Sequence, residues 1–141
     1  MSEIIDKIYN LQSEMVKLPQ VELQTKHLFH GGMYCREVFR NAGVVIVGKV
    51  HKKEHLYMIV SGTVTVNTNE EIKTITGPCI IPSKIGTKRV VYAETDAICM
   101  TIHRTDATTL EEVEEDLVED DPESMFIIGN IVKTRQLENQ S

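Results

Sequence analysis

Lys49, His51, Lys52, Lys53 and His55 fall within one seven-residue stretch, and Lys84, Lys88 and Arg89 form a second basic group further along. A neutral imidazole offers a lone pair to a transition metal and titrates close enough to neutrality to move protons. Lysine and arginine do neither at pH 7, but they hold phosphate and carboxylate, arginine as a planar fork and lysine as a point charge. Side chains alternate along a strand, so Lys49 and His51 share a face. Tyr57 and Tyr92 add rings for stacking and hydroxyls for hydrogen bonding. A metal would use His51 and His55 with a further ligand such as His103, His30 or Glu54, whereas an anion would use the cations and histidines together. Each group also has a plain structural alternative. Lys49 and Arg89 can pair with an internal acid such as Glu37 or Glu94, the histidines can be hydrogen-bonded core residues, and the tyrosines can simply pack.

All of these residues lie between Val21 and Arg104, where short runs of Val, Ile, Thr and Tyr are broken by Gly, Pro, Asn or Ser. The pattern predicts nine strands, over 21–28, 33–39, 44–51, 55–60, 63–67, 71–75, 79–82, 89–93 and 97–103. The breaks carry turn chemistry, as in Gly31-Gly32, Asn41-Ala42-Gly43, Ser61-Gly62 and Gly77-Pro78. Nine such strands suit a sandwich or a barrel. Before them, Ile4, Ile8, Leu11, Met15 and Leu18 recur at three- and four-residue steps, which predicts an amphipathic helix over 1–18 ended by Pro19. Such a helix serves as a packing lid or a subunit contact. After the strands, Thr109 and Glu112 are spaced as a capping box. The helix they open should run to about Glu119, with Leu110, Val113 and Leu117 on its apolar edge and a solvated acidic face opposite. The apolar run Met125 to Val132 needs burial, by joining the same sheet or a neighbouring subunit.

A length of 141 residues and a mass of 16.0 kDa are one domain's worth. The expected organisation is a single domain over 1–141, with the helix at 1–18, the β region at 21–104, and the acidic helix and apolar tail at 108–141. With 41% apolar and 26% charged residues the composition is that of an ordinary globular chain. No apolar stretch approaches membrane-span length and the first residues lack a basic-then-apolar leader, so no membrane partner and a cytoplasmic location are expected. The net charge is −6, but ten of the acids lie between Asp106 and Glu123, where there is no Lys or Arg. The remainder carries fifteen cations against eleven acids, a net of +4. That balance excludes wrapping duplex DNA while leaving room for a local cationic pocket. Cys35, Cys79 and Cys99 are odd in number and form no C-x-x-C pair, which reads as reduced core thiols.

The run from Gly43 to Gly62 resembles the first motif of the cupin superfamily: Gly, five residues, His-x-His, three or four residues, Glu, six residues, Gly. The two glycines match and His51 matches the second His, while Lys49 and His55 stand where the family has its first His and its Glu. Gly77 to Arg89 is similar to the second motif, with Gly86 in place, Pro82 displaced and Arg89 at the His position. Residues 82–89 and Thr101-Ile102-His103 also resemble small cupin-like proteins encoded by tailed phages, whose role is mostly unassigned. The resemblance implies an all-β, cupin-type jelly-roll barrel with an N-terminal helix and a C-terminal acidic helix. It turns the face of Lys49 and His51 inward, so that these two converge with His55 and Arg89. Cupin enzymes use their three His and one Glu to hold a metal. Lys49 and Arg89 replace two of those ligands with cations that oppose a divalent ion, so the implied cofactor here is none.

The reading that follows is a non-catalytic barrel binding an anionic small molecule, a nucleotide or phosphorylated metabolite, at Lys49, His51, His55 and Arg89. Lys84 and Lys88 would add charge at the rim, and Tyr57 and Tyr92 would supply rings. Homo-oligomerisation is expected. If phage-encoded, the chain would act in the host cytoplasm by sequestering a host nucleotide signal. Two alternatives stay open. One is an enzyme, either a metal-dependent oxygenase or isomerase on His51 and His55, or a metal-free enzyme similar to the sugar-nucleotide epimerases with His51 as base and Tyr57 as acid. The other is a structural or interaction protein in which the barrel is a scaffold for the helices and tail.

Overall fold

The computed structural model describes residues 2–15, 17, 23–68, 70–119, 126–127 and 131–132. Each of the nine predicted runs is a strand: β1 (Gln24–His30), β2 (Met33–Arg40), β3 (Val45–Val50), β4 (His55–Ser61), β5 (Thr63–Asn67), β6 (Ile72–Thr76), β7 (Cys79–Ser83), β8 (Lys88–Ala93) and β9 (Ala97–Arg104). They form two antiparallel sheets, a five-stranded one in the order β1-β2-β9-β4-β7 and a four-stranded one in the order β3-β8-β5-β6. Every pairing is antiparallel. This is the jelly-roll barrel that the resemblance implies, one of the two architectures left open by the alternation and turns.

The turn glycines act where the resemblance places them. Gly62 joins β4 to β5 at φ +84°, and a Cβ there would run into the Asp96 carbonyl and Ala97. Gly43 precedes β3 at φ +85°, again in the left-handed region that glycine alone enters without strain.

Helix α1 (Ser2–Met15) buries Ile8 and Met15 against Ile46 and Val47 of β3. Positions 16 and 18–20, including the predicted Pro19 stop, lie outside the described residues. Helix α2 (Leu110–Leu117) begins at the expected cap, where the Thr109 hydroxyl accepts from the Glu112 N–H at 3.2 Å. It ends two residues before the predicted Glu119 because the chain leaves to pair with the barrel. Val118 is extended (φ −131°, ψ 149°) and bridges to His51, and the Glu119 N–H donates to the Val50 carbonyl at 2.8 Å. The carbonyls left over at the helix end are satisfied by Lys52, whose N–H donates to Leu117 O at 2.7 Å and whose Nζ donates to Glu115 O at 2.8 Å. Thus α2 is clamped across one mouth of the barrel, its Val113 and Leu117 packed on Tyr34. Of the apolar tail, Phe126–Ile127 (β10) and Ile131–Val132 (β11) pair with each other. The rest of the run, and with it the expected burial, lies outside the described residues.

Inside the barrel the chemistry is graded along the strands. The inward residues are His55, Tyr57 and Ile59 on β4, Arg89, Val91 and Ala93 on β8, and His103, Thr101, Cys99 and Ala97 on β9. The apolar end is one cluster that includes Tyr57, Ile59, Val64, Val66, Val91 and Cys99. The polar end lies beneath α2.

A histidine cluster beside an arginine-walled cavity

His51 enters the polar end from the β3–β4 connection, held there by its backbone N–H to Thr87 O at 3.0 Å and by the bridge to Val118. His55 opens β4 and His103 lies near the end of β9, and all three are buried. Their rings stack, with centroids 4.1 Å apart for His51–His55, 4.5 Å for His55–His103 and 5.0 Å for His51–His103. His51 Nδ1 is 2.9 Å from His103 Nε2, and one of the two carries the shared proton. His55 donates from Nδ1 to the Lys53 carbonyl at 3.0 Å, which leaves its Nε2 a lone pair. His103 Nδ1 is buried with no hydrogen-bond partner.

Burial sets the charge of this cluster. It holds His51 well below the usual histidine value, with His55, Arg36, His103 and Arg89 pushing the same way. His103 is lowered to about 3, first by burial and then by His55 and Arg36. His55 is lowered by burial, against the opposing pull of the Lys53 carbonyl. All three are neutral at pH 7, the form in which imidazole ligates metal. One ligand atom from each lies within 4.8 Å of the others, so the three could hold a metal ion.

Next to the histidines is a cavity of about 60 Å³ walled by Arg36, Arg40, Lys49, Tyr57 and Arg89. The guanidiniums are incompletely paired. Arg89 reaches Asn67 O and Ser83 Oγ and lies 4.8 Å from the Tyr57 ring centre, but its Nε has no partner. Arg36 Nε is likewise unpartnered. Arg40 is buried with Nε and Nη1 unpartnered. The Tyr57 hydroxyl is buried beside Arg40 and Cys99 without a well-formed hydrogen bond, and burial raises it to about 12, so it stays protonated and able to donate. The sole carboxylate lining the cavity among the described residues is Glu114 of α2, and its Oε2 is 3.4 Å from Lys49 Nζ.

The structure therefore gathers Lys49, His51, His55, Tyr57 and Arg89 around one cavity, and Lys49 takes its acid from α2 rather than from Glu37 or Glu94. Three other sequence candidates lie elsewhere. Lys84 is exposed in the loop after β7. Lys88, expected at the rim, is instead buried, its Nζ 4.4 Å from the Tyr9 ring centre, because its position on β8 faces the side that α1 covers. Tyr92 shares that outer face and is 39% exposed, so its ring cannot stack on anything inside the barrel. The cavity residues that sequence reasoning missed are Arg36, Arg40 and Glu114. His103 entered only as one optional third metal ligand, and His30 and Glu54, named with it, are both exposed.

No protein-family model matches the sequence, and no curated protein does. Solved structures do match. A cupin superfamily protein from Desulfitobacterium hafniense superposes with a TM-score of 0.53 at 8% identity, over 67% of this chain and 87% of that one. KdgF from a Halomonas species gives 0.53 at 15% identity, over 62% and 84%. The DMSP lyase DddQ from Ruegeria pomeroyi gives 0.53 at 13% identity, over 62% of this chain and 49% of the other. At such identities the likeness is one of fold. With its strands in two antiparallel sheets, the chain shares the jelly-roll fold of these cupin structures.

Proposed function

We propose that the barrel binds a small anion, a phosphate or carboxylate group, in the cavity walled by Arg36, Arg40 and Arg89. The observation that carries this is Arg40, buried with two guanidinium nitrogens unpartnered. A buried guanidinium short of acceptors is costly even beside the Tyr57 hydroxyl and the Cys99 thiol, and arginine cannot shed its proton to escape. An anion supplies the missing acceptors and the missing charge together. A cavity of about 60 Å³ is far below the ~300–1,000 Å³ of sites that enclose drug-sized ligands. It suits an anionic head group. If the ligand is a nucleotide, its sugar and base remain outside the barrel, without Tyr92 to stack on. The test is thermal unfolding against a panel of phosphate, sulfate, acetate and malonate. One of these should raise Tm, and Arg40→Met should abolish the rise. No rise with any of them at tens of millimolar would sink the proposal.

A second reading rests on a separate observation, the three neutral imidazoles. They fit a transition metal through their nitrogen donors, their shared burial and the orphaned Nδ1 of His103. The two family positions filled by Lys49 and Arg89 do not, but Lys49 turns to Glu114 and Arg89 to Asn67 and Ser83. A metal held by His51, His55 and His103 would polarise an oxygen of the bound anion, and the barrel would then be an enzyme, as the DMSP lyase of the same fold is. A metal-free acid–base enzyme is less well supported, because burial leaves His51 a weak base and the proton of Tyr57 tightly held. Titration with cobalt(II) followed by visible absorption should give one ion per chain, lost in His103→Ala. No absorption band would overturn the metal reading and leave the anion proposal standing.

A further inference from the structure

We propose that Glu114 makes the anion cavity selective for an oxyanion that keeps a hydroxyl of its own, such as hydrogen phosphate, over one that carries no proton, such as sulfate. The inference rests on the anion reading above and names which anion it takes. The cavity is walled by three guanidiniums, the Lys49 ammonium and the protonated hydroxyl of Tyr57. Donors of this kind do not tell phosphate from sulfate, because both are tetrahedral anions of similar size that present bare oxygens. The one carboxylate lining the cavity among the described residues does. An oxygen without a proton meets Glu114 as a like charge, whereas a P–OH donates a hydrogen bond to it.

The fold sets Glu114 apart from the other acids of α2. Asp116 pairs with Lys53 and accepts from Thr105, Glu112 accepts from Thr109 at the cap, and Glu111 and Glu115 are exposed. The Glu114 side chain is 18% exposed and faces the cavity. Its Oε2 is 3.4 Å from Lys49 Nζ, longer than the ~2.7–2.9 Å of a close charge-assisted hydrogen bond. Its Oε1 makes no hydrogen bond among the described residues, so acceptor capacity is left over. Arg36 stands near it, since the charges of Arg36 and Glu114 both act on His27 and Tyr34. At about 60 Å³ the cavity gives an ion no room to avoid one of its walls. An ion seated on the guanidiniums turns an oxygen toward Glu114, and the protonation of that oxygen decides between attraction and repulsion. A phosphate monoester loses its last proton near pH ~6, so at neutral pH it belongs with sulfate rather than with free phosphate.

The experiment is calorimetric titration of the full chain at about pH 7.5 with sodium phosphate, sodium sulfate and methyl phosphate. The wild type should bind phosphate at least about 10-fold more tightly than the other two. Glu114→Gln removes the charge at constant size, and the preference should fall below about 3-fold, chiefly through tighter sulfate binding. Glu111→Gln removes the same charge from an exposed position of the same helix and should keep the preference, which separates a contact in the cavity from the charge of the helix. Both variants should retain the circular dichroism spectrum of the wild type. Equal affinity of the wild type for phosphate and sulfate overturns the proposal and leaves the anion reading standing, and so does a preference that survives Glu114→Gln. A wild type that binds none of the three also overturns it, and the anion reading falls with it if acetate and malonate fail too.

Discussion

The two ends of the barrel interior are built on the same strands and meet at Tyr57. At one end Ile59, Val64, Val66 and Val91, each at most 1% exposed, fill the space between the sheets with apolar volume. At the other, the same strands carry His55, His103 and Arg89, joined by Arg36 from β2 and roofed by α2, while Arg40, paired with Ala97 at the apolar end, lines the same cavity. The apolar end satisfies itself: every contact there removes surface from water. The cationic end does not. It leaves nitrogens of Arg36, Arg40 and Arg89 and the Tyr57 hydroxyl without a hydrogen-bond partner in the protein, and buried polar groups left so cost stability.

The comparison can be broken most forcefully at the apolar end. Ile59→Ala should cost about 3 kcal/mol, through lost transfer energy and the cavity left behind, read by denaturant unfolding. It should leave any anion-induced rise in Tm intact. At the cationic end pH is the lever. The folded-state values of His51 and His103 lie below the unfolded value of 6.5, that of His103 at about 3, so the unfolded chain takes up protons first. Stability is therefore full above pH 6.5 and falls as pH drops toward 3, with a slope of about 1.4 kcal/mol per pH unit for each histidine. Denaturant midpoints between pH 8 and 4 measure this, and a flat profile would contradict the buried neutral cluster. Arg40→Met is predicted to act in the opposite direction to Ile59→Ala. Replacing a buried charge that makes no salt bridge among the described residues by an apolar side chain of similar length should raise stability by about 1–2 kcal/mol while removing the anion response. The smallest effect belongs outside both ends. Lys53 and Asp116 pair at 2.8 Å, but Lys53 is 48% exposed, so Lys53→Ala should cost under ~1 kcal/mol in the same assay.

Much of this architecture is legible in the sequence. The nine strands, the cap at Thr109 and the convergence of Lys49, His51, His55 and Arg89 follow from alternation, turn residues and one motif register. The walls of the cavity are not legible there, and β2 shows why. Its two faces are Tyr34, Arg36, Val38 and Arg40 on one side and Met33, Cys35, Glu37 and Phe39 on the other. Hydrophobicity alone would turn the second face inward, because it holds fewer cations. The fold turns it outward, and that choice creates both the arginine wall and the apolar outer face. Lys88 departs from its expected place at the rim for a related reason: alternation puts it opposite Arg89, but says nothing of α1 lying over it.

Local rules of the chain thus determined where strands start, where turns fall and which residues share a face, since each depends only on neighbours a few positions away. Which face looks inward, and that Glu114, 65 residues away, would meet Lys49, or His103, 52 residues away, would meet His51, was decided by the closing of the two sheets and the docking of α2. Those contacts carry no local signal, because burial and charge pairing belong to the packed molecule and not to any segment of it.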